Sequence, residues 1–147
     1  MSTRKAALRG VLVFAFLTAG AAACSDSVAN ADVGDCFDDP ASGTTGQIDL
    51  STIDTVDCTA EHDNEIFFIG DLPDGDFPGS DELLSQAQDK CTDEVGDYIG
   101  GDLADTPLAV FPITPTESGW NDGDHQIICG VYNADFSKLS ASVKDSA

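Results

Sequence analysis

The chain predicts an α+β fold: a small antiparallel sheet with one long helix packed on it, stapled by two disulfides. Three observations carry this. Residues 80–99 form the one long stretch with helical apolar spacing, while the other apolar runs are short, rich in β-branched and aromatic residues, and separated by Gly, Pro and Asp. Strands linked through such turns pair antiparallel and leave the helix to cover one face. Cysteines stand at 24, 36, 58, 91 and 129, and setting the first aside leaves an even four.

The first segment is not part of that fold. Arg4, Lys5 and Arg9 precede the apolar run Val11–Cys24, which ends in Ala21, Ala22 and Ala23. Roughly a dozen apolar residues are too few to span a bilayer, which takes about 20. A basic start, a short apolar centre and a small-residue end read instead as a cleavable export signal over residues 1–23. A cysteine next to the cut reads as a lipoprotein signal, with a diacylglyceryl group expected on Cys24. The usual Leu three places before the cysteine is Ala21 here, and Ala21–Ala23 also fit an A-x-A site of ordinary signal peptidase. Both cuts expose Cys24. A lipid there explains the fifth cysteine, whereas a free extracellular thiol would be reactive. The expected location is therefore the outer, extracytoplasmic face of the cell membrane, held by palmitate-type acylation.

Residues 24–32, small and polar, read as a flexible tether, and residues 33–147 as one globular domain. Within it Val33–Phe37 opens the first strand. Asp38–Thr52 is rich in Gly, Thr, Asp and Pro and reads as a surface loop. A short strand follows around Thr55–Cys58, and Glu65–Leu72 (EIFFIGDL) is the strongest strand candidate. After the turn PDGDFPGS comes the helix, with Ser80 as its expected N-cap and Asp81 and Glu82 at the positive end of its dipole. Leu84, Ala87, Cys91, Val95 and Tyr98 share a face, Leu83 widens it, and Gly100-Gly101 stops the helix. Pro107–Ile113 reads as an edge strand because of Pro112. The turn-rich TPTESGWNDGD carries the single Trp. His125–Tyr132 is a second good strand, with Ile127, Cys129 and Val131 on one face, and Leu139–Val143 reads as a last short strand.

Four cysteines allow three pairings. Cys91 on the inner face of the helix needs an inward strand partner, which Cys129 supplies. Cys36 and Cys58 then close the Gly-rich loop between the first two strands. The expected pairs are Cys36–Cys58 and Cys91–Cys129.

Removing 23 residues from 147 leaves 124, and all 27 acidic residues lie there against three basic ones, a formal balance of −24. Such a surface repels nucleic acid and anionic headgroups and favours cations or basic partners. No nucleic-acid partner is expected.

Catalytic patterns are missing. There is no G-x-S-x-G elbow, P-loop or dinucleotide fingerprint, so no enzyme activity and no cofactor are expected. Cys58-x3-His62 has the spacing of half a zinc site, but the sequence offers no other half, and a structural role for His62 is the expectation. Two acidic stretches imitate calcium loops. Counted from Asp74, Gly79 is sixth but Ser85 twelfth; counted from Asp71, Glu82 is twelfth but Asp76 sixth. Asn121–Asp124 reads equally as an acidic turn, so no metal site is expected. Trp120, between Gly119 and Asn121, reads as a lid over a small core or as a platform for a sugar ring.

Taken in order, VGDCF at 33–37, V-x-C-x3-H-D-x-E at 56–65, Cys91, and W-x2-G-D-x-x-I-x-C from Trp120 to Cys129 resemble the septum formation family of actinobacterial exported proteins. The closing KLSASVKDS is similar too. The chain has Glu61 where that family commonly has Pro, and His125 where it commonly has Arg. The resemblance implies a small extracytoplasmic domain connected with the division septum, without catalysis or cofactor. His62, Glu65 and Trp120 are the residues expected to serve interaction with envelope or division proteins. The other readings are a binding module for a cation or basic small ligand, and a wall hydrolase if His62, Glu65 and His125 share a cleft.

Overall fold

A computed structural model describes residues 31–38 and 54–147. The predicted leader, the residues of the predicted tether before Ala31 and most of the predicted loop 38–52 lie outside the described residues.

Five strands form one antiparallel sheet: β1 (Cys36–Phe37), β2 (Thr55–Val56), β3 (Asn64–Asp71), β4 (Leu108–Ile113) and β5 (Gln126–Asn133). Their order is β2-β1-β3-β5-β4, so the last strand to be made lies between β3 and β4. Glu65 pairs with Val131 and Asp71 with Gln126, with an irregularity between Ile66 and Phe68 that admits Phe67 as an extra residue. β4 is the edge strand that Pro112 predicts.

The helix α1 (Ser80–Ile99) has the predicted bounds. Its cap does not. Gly79 precedes it at φ 95°, its carbonyl accepts the Leu83 N–H at 2.9 Å, and Ser80 is the first helical residue. A φ of that sign suits glycine, so the turn rather than a hydroxyl starts the helix. At the other end Gly100 is left-handed and donates its N–H to Gly96 O, as the glycine pair predicts.

Leu83, Ala87, Cys91, Val95 and Ile99 form the buried stripe, at steps of four. They pack on Phe67, Leu72, Ile127, Cys129 and Val131. Leu84 is 51% exposed, against the expected face: the seam begins one residue earlier and leaves it about 100° round the helix. Phe37, Ile66 and Ile128 form a second buried cluster with Ile69, Phe111 and Ile113.

Two predictions fail in the second half. TPTESGWNDGD contains a short helix, α2 (Glu117–Asn121), whose N-cap Thr116 accepts the Gly119 N–H. Leu139–Val143 is not a strand: its ladder is the single bridge between His62 and Leu139. Side-chain burial holds this segment instead, with Leu139 and Val143 in the core.

The disulfides are Cys36–Cys58 and Cys91–Cys129, the pairing the sequence favours. The first joins β1 to the chain just after β2, and the second fastens α1 to β5.

Candidate functional site

Glu65 is the second residue of the long strand β3, on the face that α1 covers, and is fully buried. A carboxyl group there needs donors, since an unpaired one would lose its hydration uncompensated. Three arrive from distant parts of the chain. The Tyr98 hydroxyl and the Ser142 hydroxyl each donate to Oε1 at 2.6 Å, and the Val143 N–H donates to Oε2 at 2.8 Å. Glu65 thereby joins the sheet, the last turn of α1 and the C-terminal segment. Burial, and then the hydrogen bond to Glu65, raise the Tyr98 phenol well above its ordinary value.

His62, three residues earlier, is also fully buried. Its backbone makes both bonds of the bridge to Leu139, at 3.0 and 2.8 Å. Its ring Nδ1 lies 2.8 Å from the Ala60 carbonyl. A carbonyl only accepts, so Nδ1 carries the proton. Nε2 is buried and has no hydrogen-bond partner. Ligand-type atoms of Cys36, His62 and Glu65 lie within 4.8 Å of one another.

Lys138 closes this end from outside. Its ammonium is 2.7 Å from Asp38 Oδ1 and 3.0 Å from Asp63 Oδ1. Hydrogen bonds to these two, Asp38 foremost, raise the lysine, and Lys138 in turn holds Asp38 below the usual carboxylate range. Beside it a groove of about 350 Å³ runs between the start of β4 and the C-terminal segment, lined among others by Pro107, Leu108, Asn133, Ser142 and Val143. Ser142 and Val143 thus line the groove and hold Glu65.

Trp120 belongs to the opposite end and is 4% exposed. Its Nε1–H donates to the Gly75 carbonyl at 2.8 Å, and its ring lies 4.2 Å from that of His125 and 6.3 Å from that of Phe77. It is a lid over the core and offers no open platform for a sugar. His125 Nδ1 lies 2.7 Å from Asp74 Oδ1.

None of His62, Glu65 and Trp120 presents its side chain to solvent. Nor do His62, Glu65 and His125 share a cleft, because β3 runs from one to the other, a span of about 20 Å. The calcium-like stretch 71–82 is divided among a strand end, a turn and the start of α1. Asp124 in the second stretch accepts the Gln126 N–H through its side chain.

Sequence reasoning missed Ser142 and Val143, the groove and the Lys138 bridge. The sequence carries one signal: Glu65 is a charged residue opening an apolar run, which demands partners. Nothing local named them, since they lie 33, 77 and 78 residues away.

No curated protein and no solved structure gives a match to this chain. The model of the family described as "Septum formation" matches residues 34–147, from the first turn before β1 to the last residue of the segment that closes over Glu65. With well over half of its length so matched, the chain belongs to the septum formation family.

Proposed function

We propose that this protein is a lipoprotein on the outer face of the cell membrane, and that its domain works in division septum formation as a non-catalytic interaction module. The family match over residues 34–147 carries the reading. The leader with Cys24 at its end supports the anchor, and two disulfides in so small a domain suit an oxidising compartment. The balance of −24 supports a basic partner over an anionic polymer. The groove beside the C-terminal segment, lined by Lys138 and neutral residues, is a separate concave surface open to a partner.

A fluorescent fusion in dividing cells, with deletion of the gene, tests the role. Enrichment at the septum and misplaced or delayed septa on deletion are expected. Uniform labelling with normal septa would refute it. Metabolic labelling with palmitate tests the anchor, and Cys24→Ser should abolish the label.

A further inference from the structure

We propose that Cys36, Cys58, His62 and Glu65 form a zinc site in the dithiol state of the protein, a site that the Cys36–Cys58 disulfide closes. The inference is independent of the role in septation.

The sequence offers Cys58-x3-His62 as half a zinc site. The fold supplies the other half. Pairing of β1 with β3 sets Cys36 opposite Glu65, and the chain before β3 brings His62 beside both. The three ligand-type atoms lie within 4.8 Å of one another, and all three residues are buried. Cys58 Sγ is bonded to Cys36 Sγ and stands next to this cluster rather than within it, so as fourth ligand it swings inward once the disulfide opens. A tetrahedral zinc ion, with bonds of about 2.0–2.3 Å, holds its ligand atoms about 3.3–3.8 Å apart. Closing the three from the present spacing requires movement on the order of 1 Å, and Cys58, which must move further, sits in a connection rather than inside a strand.

His62 is the independent observation. Among the described residues, its Nε2 is the buried side-chain nitrogen or oxygen left without a hydrogen-bond partner. A buried lone pair without a partner is costly, so its retention asks for a reason. With the ring proton held on Nδ1 by the Ala60 carbonyl, Nε2 carries a bare lone pair. A ring nitrogen donating to a carbonyl, with its fellow free, is the usual arrangement of a metal-binding histidine. Glu65 is oriented in the same way: Tyr98, Ser142 and Val143 fix its carboxyl group, while Oε2, which accepts one bond, keeps a second lone pair. Two thiolates, an imidazole and a carboxylate suit zinc.

The chemistry balances with a thiol reductant. Its thiolate attacks Cys58 Sγ, which is partly exposed, and the sulfur–sulfur electron pair leaves on Cys36. A second thiol displaces the mixed disulfide, giving two protein thiols and one external disulfide. Zinc then takes both sulfurs, and their two protons go to solvent. The Cys91–Cys129 pair is fully buried and is spared by mild reduction.

The test uses the full chain carrying Cys24→Ser, so that only domain sulfurs count, with Co²⁺ as the spectroscopic probe. After mild reduction, with alkylation and mass spectrometry showing two free thiols at Cys36 and Cys58, one Co²⁺ per chain should give thiolate-to-cobalt charge transfer and the intense visible bands of a tetrahedral site. The oxidised protein should give neither, and zinc should displace the cobalt. His62→Gln should weaken binding by about 10–100-fold, at least the loss seen when a ligand's outer partner is removed. A dithiol chain without the charge-transfer band overturns the proposal whatever the variants do. So does a band that persists in Cys36→Ser/Cys58→Ser, or an affinity unchanged by His62→Gln.

Discussion

The Tyr98 hydroxyl, on the last turn of α1, donates to Glu65 Oε1 at 2.6 Å, across 33 residues of chain. This contact connects the two largest pieces of the fold by a polar bond inside an otherwise apolar interface. Its partners on the C-terminal side, Ser142 and Val143, make the same carboxyl group a three-way junction.

Glu65→Leu should be among the most damaging single changes, because it leaves two hydroxyls and one N–H without an acceptor. A loss of about 2–5 kcal/mol is expected, and about 1–3 kcal/mol for Glu65→Gln, which keeps one oxygen. Denaturant melts measure both. Hydrogen exchange at the Val143 amide should rise in either variant before global unfolding does.

Tyr98 gives the domain an alkaline weakness. Burial and Glu65 raise its phenol in the folded state, so between the ordinary value near 10 and the folded one the native protein holds a proton that the unfolded chain has released. Stability from this group is intact below pH about 10 and declines as pH climbs through the folded value. Thermal melts above that pH should show the decline in the native sequence and a smaller one in Tyr98→Phe.

Each disulfide should contribute about 3–4 kcal/mol by limiting the unfolded chain, the one spanning 38 residues slightly more than the one spanning 22. Melts of Cys91→Ala/Cys129→Ala and Cys36→Ala/Cys58→Ala measure the two losses. The first pair should lose more than the chain-entropy value, because Cys91 and Cys129 also fill the core between α1 and β5.

Trp120→Phe should cost about 1–2 kcal/mol, since the ring can still fill the lid but the Gly75 carbonyl loses its donor. Trp120→Ala should cost about 3–5 kcal/mol. The single Trp makes the check simple in the native protein: its emission should lie in the blue range of a buried indole and shift red on unfolding.

With 27 acidic residues against six basic ones, self-repulsion opposes the compact state. Raising ionic strength from about 0.01 M to about 0.15 M shortens the screening length from about 30 Å to about 8 Å, and the melting temperature should rise.

Much of this architecture is legible locally. Leu83 to Ile99 repeats at helical spacing between a positive-φ glycine and a left-handed one, so the helix bounds follow from chemistry within the segment. The inner face of β5 is equally plain, because Ile127, Cys129 and Val131 alternate, and Cys129 then selects Cys91 as its partner. What fails locally is decided at long range. The seam of α1 starts at Leu83 instead of Leu84 because of how the sheet meets it. Leu139–Val143 has apolar residues four apart that both enter the core, a spacing that one face of a strand also gives. Thr116 before Glu117 was a readable cap for α2, hidden by the density of turn residues around it. That Glu65 needs partners is legible, but their identity is not, since its three donors share no motif.

The strand order bears on how the chain reaches its final form. β5 fills the gap between β3 and β4, and the donors from residues 142 and 143 reach Glu65 after every strand has been made. β4 has its sheet partner in β5, so it can join the sheet only once that later strand is in place.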